Sequence, residues 1–260
     1  MVDEDDDRRP VAEWKLRAGA LPGALVIAYL LHLTAIGSSV QRIALAMPLH
    51  ELGHAITAWW CGFSAIPTFW KTLIGETRST GVTLLLAAAL AAGAWRAWTT
   101  DRMALVGVIA GLGALAFLAT TASPEWADAA ITFAGDAGAI VLGTALMLAF
   151  AAGGPDSWLR RGQLRWGLLA IGAAAFVDTA AMWWQARTDT DVIPYGEIEG
   201  VGQSDPSKLL DIHEWVEPTI VHRYSLVIEL CVLALAVGWV LSVWIARARR
   251  EEPPSAVSEP

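Results

Sequence analysis

Pro48-Leu49-His50-Glu51-Leu52-Gly53-His54-Ala55-Ile56 decides how this chain is read. It sets the pattern His-Glu-x-x-His inside an apolar segment, a metal helix over about 43–61. Histidines four apart share one helix face, where two neutral imidazoles can hold a single Zn²⁺. Glu51, one residue on, has the chemistry of a general base. It can take a proton from a zinc-activated water, whose pKa the metal lowers from 15.7 to about 7, and pass it to a leaving amine. These parts suit peptide hydrolysis. Chance alone gives the pattern in about one chain in two hundred of this composition, so context has to carry the reading. Here the intervening residues are uncharged, and three ionisable groups within five residues of an apolar helix are costly unless they bind something or line a wet cavity.

Composition sets the class. The chain has 260 residues, 55% of them hydrophobic and only 17% charged, with a mean hydropathy of +0.46. Soluble domains carry about 25% charge, so this is an all-α, polytopic integral membrane protein with the lipid bilayer as its first partner. The net charge of −8 comes mainly from Asp3 to Asp7 and from the loop after Arg187, and nothing in it points to nucleic acid. The two cysteines, Cys61 and Cys231, form neither a disulfide framework nor a Cys-x-x-Cys metal pair.

Working outward, residues 1–20 read as an acidic N-terminal tail, 21–246 as the membrane domain and 247–260 as a disordered C-terminal tail. About seven apolar segments are expected: 21–39, the metal helix, 82–98, 103–122, 129–152, 166–186 and 226–245. The 14 tryptophans fall mostly at segment ends, as an aromatic belt does. Gly107 and Gly111 make a small-xxx-small pair suited to close helix packing. Orientation stays open, because the 18 Lys and Arg residues divide evenly between the two sides. The stretch 61–75 is too broken by Pro and Gly for a spanning helix and too apolar for an ordinary loop. A re-entrant or interfacial hairpin beside the metal helix fits it.

A catalytic zinc needs a third protein ligand. Asp136, in Gly135-Asp136-Ala137-Gly138, is the first choice, because its glycines let that helix approach the metal helix; Asp178 is the reserve. His32 is either functional or hydrogen-bonded to a neighbouring helix. In the polar loop 187–224, His213 and His222 sit among carboxylates, and His213-Glu214-Trp215-Val216-Glu217 has Glu where a second motif would need His.

The motif in a membrane helix, followed some eighty residues later by a glycine-flanked Asp136, resembles the site-2 protease family of intramembrane zinc metalloproteases. The resemblance implies His50, His54 and Asp136 as zinc ligands, Glu51 as base, and single-span membrane proteins as substrates. It also implies that the hairpin can pair with extended substrate. The chain departs from the family in lacking Asn-Pro before a Leu-Asp-Gly. The alternative expectation is a non-proteolytic metal-binding or inactive protease-like membrane protein that binds single-span partners.

Overall fold

The computed structural model describes residues 13–152, 164–198 and 202–251. The outer parts of both expected tails, and residues 153–163 and 199–201 with some of the basic residues counted for orientation, lie outside them.

Helix α1, Glu13–His32, begins within the expected acidic tail and contains Pro22. Proline lacks an N–H and leaves the carbonyl four residues back without its helical donor. That carbonyl, on Ala18, receives the indole N–H of Trp239 at 3.2 Å, so another helix supplies the missing bond. The expected segment 21–39 is cut at Thr34, whose side chain accepts the Gly37 N–H at 3.1 Å and caps a new helix, α2, Ala35–Val40. A π-helical turn, Gln41–Ala46, leads from α2 into the metal helix α3, Met47–Trp60. Pro48 in the first turn of α3 cannot donate back to Ala44, so the hydrogen-bond ladder is interrupted where the π turn sits.

At 14 residues α3 extends only about 21 Å, short of a hydrocarbon core of about 30 Å. Among the described residues, six helices rather than seven are long and apolar enough to cross a membrane. These are α1, α4 (Thr80–Thr99), α5 (Met103–Thr121), α6 (Pro124–Ala149), α7 (Leu164–Gln185) and most of α9 (Glu217–Glu251).

Nor is the chain purely helical. Gly62, at φ +86°, takes the left-handed turn that ends α3. An antiparallel hairpin follows, β1 (Phe63–Pro67) against β2 (Thr72–Arg78), with Ala65 opposite Ile74 and Pro67 opposite Thr72. Arg78 fastens it by donating to the carbonyls of Cys61 at 3.1 Å and Ala122 at 2.6 Å. The Trp59 indole donates to the Ala65 carbonyl at 3.0 Å. Between α7 and α9 lie a second small hairpin, β3 (Glu197–Ile198) and β4 (Gly202–Gln203), and the short helix α8, Asp205–Asp211.

The core is the stack α3–α6–α7, flanked by α1 and α9. Gly53 of α3 and Gly138 of α6 touch backbone to backbone, and a methyl on either would overlap the other helix. Helices α4 and α5 pair chiefly with each other and expose apolar side chains such as Leu85, Leu115 and Phe117. An all-round apolar helix surface suits lipid. Gly107 and Gly111 have no described atom near enough to meet an added methyl, so the expected close packing at this pair is not made within the described chain.

Candidate metal centre

His50 and His54 project from one face of α3 with their Nε2 atoms 3.1 Å apart. What stands behind each ring fixes its chemistry. The Nδ1 of His54 lies 2.7 Å from the Ile131 carbonyl, which can only accept, so the hydrogen is assigned to Nδ1. The Nδ1 of His50 donates in the same way to Asp136 Oδ1 at 2.9 Å. Neutral rings held like this turn their lone pairs out through Nε2. Into the same space comes Asp205, with Oδ2 3.1 Å from His50 Nε2 and 2.9 Å from His54 Nε2.

Three acceptors this close repel unless a cation lies among them, either protons or a metal. Adjacent ligands around a tetrahedral ion with bonds of about 2.0–2.2 Å lie about 3.3–3.6 Å apart, a few tenths of an ångström beyond these spacings. The donor set, two imidazole nitrogens and one carboxylate, is one zinc accepts with an open fourth position. His50, His54 and Asp205 are the one group among the described residues with such spacing. Room for an ion is also kept: a methyl on Gly135 would sit 2.6 Å from His54 Nε2 and 2.7 Å from His50 Nε2. Burial alone would raise the Asp205 carboxyl, but without a metal and with protons on the Nε2 atoms, hydrogen bonds from His50 and His54 outweigh it and hold the group well below the usual carboxylate range.

Asp205 is aimed by its own short helix. Ser204 caps α8 by accepting the Ser207 N–H, Pro206 occupies the first turn, and Lys208 Nζ holds the other Asp205 oxygen at 3.1 Å. Asp136 accordingly stands somewhere other than the third-ligand position the sequence suggested. Its Oδ1 is on the outer nitrogen of His50, and its Oδ2 accepts the buried Trp183 indole N–H at 2.8 Å. Trp183 is in turn stacked on Tyr224, with centroids 3.9 Å apart. A carboxylate behind a ligating histidine fixes its tautomer and raises its basicity.

No protein-family model, curated protein or solved structure matches the chain. The site therefore has to be read from its own geometry.

Glu51 is buried, and its Oε2 accepts from the Thr72 hydroxyl of β2 at 2.7 Å. Asp178, the reserve ligand, belongs to a different cluster. It faces Arg42 Nε at 3.3 Å; His32 Nδ1 lies 3.6 Å from it, too far for a hydrogen bond, and is buried without a hydrogen-bond partner among the described residues, and neither Asp178 nor His32 joins the His50–His54 group. His213 lies 3.3 Å from Asp128, and neither it nor His222 enters the group. Cys61 and Cys231 are buried and free. Asp205 escaped the sequence reading. The signal available was Ser204-Asp205-Pro206-Ser207, a helix-start signature that marks a fixed carboxylate but not its destination.

Proposed function

We propose that the chain is a multi-pass membrane metallopeptidase of the cell membrane that hydrolyses peptide bonds in membrane-embedded, single-span proteins, with His50, His54 and Asp205 holding one zinc. The observation that carries this reading is the convergence of two back-bonded imidazoles and one carboxylate on a single point, with a buried Glu51 following the ligand His50 in the chain. Zinc bound there would polarise the scissile carbonyl and supply water made acidic enough to give up a proton near neutral pH.

The chain's own residues do the rest. Asp136 and Ile131 keep both Nε2 lone pairs directed at one position. Glu51 Oε would accept one proton of the attacking water as its oxygen adds to the carbonyl carbon, then deliver it to the amine as the C–N bond breaks. Water is consumed, and a carboxylate and an ammonium group are left, the new acid's proton passing to the amine. A buried carboxylate that merely paired with neighbours would have no need to stand next to a ligand in His-Glu-x-x-His order. The reading keeps the resemblance to site-2 proteases in the helix motif and departs from it at the third ligand, drawn here from the segment between the last two long helices.

The test uses the full chain in lipid nanodiscs with a fluorogenic single-span peptide. Wild type is expected to cleave it, and Glu51→Gln to keep about one zinc per chain while losing cleavage by at least about a hundredfold. Cleavage by Glu51→Gln at the native rate would refute the assignment.

A further inference from the structure

Thr72 begins β2, immediately after the hairpin turn, and its hydroxyl makes two contacts with one residue: 2.7 Å to Glu51 Oε2 and 2.8 Å to the Glu51 backbone carbonyl. A hydroxyl has one hydrogen and two lone pairs, so with Glu51 ionised it donates to one of these two oxygens at a time. Donated to Oε2, that hydrogen holds the ionised carboxylate; once Glu51 is protonated it can donate to Oγ1 while Thr72 donates to the backbone carbonyl, so the base keeps its partner in both states. Glu51 has three side-chain torsions and would otherwise be the least constrained member of the site. Trp59 and Arg78 tie other parts of the hairpin to its surroundings, through Ala65, the end of α3 and Ala122. Thr72 ties the turn-proximal end of the hairpin to the base.

We propose that Thr72 is the positioning residue for Glu51, holding its carboxylate in the orientation from which it takes and returns the proton. This rests on Glu51 being the base. A misplacement of about 1 Å in a reacting group costs on the order of a hundredfold in rate. The effect therefore belongs on kcat, with metal and substrate binding left alone. An ordinary helix-to-strand hydrogen bond would instead affect stability.

The experiment compares wild type, Glu51→Gln, Thr72→Val and Thr72→Ser, each as the full chain in nanodiscs, by zinc content and by kcat and KM on a fluorogenic single-span peptide. Val keeps the branched shape and removes the hydroxyl; Ser restores it. Thr72→Val is expected to hold zinc like wild type and to lose about 10–100-fold in kcat with KM within about twofold, while Thr72→Ser recovers most of the loss. Wild-type kcat in Thr72→Val, or no recovery in a zinc-loaded Thr72→Ser, overturns the role of Thr72 while leaving Glu51 as base. An inactive wild type, or a Glu51→Gln as active as wild type, overturns the parent reading and this role with it.

Discussion

Replacing Asp136 by Asn separates a carboxylate that orients a ligand from one that is a ligand. Asp136 receives two donors, the His50 Nδ1–H at 2.9 Å and the Trp183 indole N–H at 2.8 Å, one on each oxygen. An amide offers one acceptor oxygen, so in either flip one donor is left facing an NH₂ group. If the lost bond is the one to His50, the ring keeps its place on α3 but not its fixed tautomer. Losses of this kind behind a metal-bound histidine cost about 10–100-fold in affinity, or roughly 1.4–2.7 kcal/mol. Removing a ligand should cost far more, since a catalytic zinc site has only three from the protein. Titration against a chromophoric zinc chelator should therefore rank wild type tightest, Asp136→Asn weaker by one to two decades, and Asp205→Ala without measurable zinc. If Asp136→Asn lost zinc completely and Asp205→Ala kept wild-type affinity, Asp136 would be the third ligand and the role given to α8 would be wrong.

Arg42→Ala should leave the buried Asp178 without its arginine, lowering stability by about 1–3 kcal/mol, less than a fully buried pair would lose because Arg42 is exposed. Zinc content should stay at the wild-type level, and a thermal melt with metal analysis checks both. Stripping zinc with a chelator should loosen α8, whose seven residues are too few to hold as an isolated helix. Hydrogen exchange across 202–211 should rise about tenfold on chelation and recover on zinc return, whereas unchanged exchange would mean that Asp205 is held without the metal. His50→Ala and His54→Ala should each abolish zinc uptake in the same chelator titration, because too few protein ligands remain.

The histidine pair was legible because helical spacing fixes it: residues four apart meet whatever surrounds them. The hairpin over 63–78 was partly legible from its Pro and Gly punctuation, and the glycines around Asp136 correctly announced a close approach. Gly138 meets Gly53, and Gly135 faces both imidazoles. Close approach of a helix does not say which way its carboxylate turns, and Asp136 turned to the outer nitrogen of His50. Asp205 lies in a polar segment without periodicity, so local pattern says nothing of its long-range destination. The first apolar segment failed as a boundary because a single capping hydroxyl, Thr34, outweighed continuous hydrophobicity. The expected helix 43–61 differs from the observed one because a π turn, Gln41–Ala46, runs directly into Met47–Trp60, with Pro48 unable to donate at its start.

Zinc K-edge X-ray absorption on the purified full chain tests the central claim most directly. The account predicts about one zinc per chain in a four-coordinate shell of nitrogen and oxygen at about 2.0–2.1 Å, with the outer-shell scattering of two imidazoles. Zinc absent from the chain, a sulfur shell near 2.3 Å, or an imidazole signal unchanged in His54→Ala would contradict it.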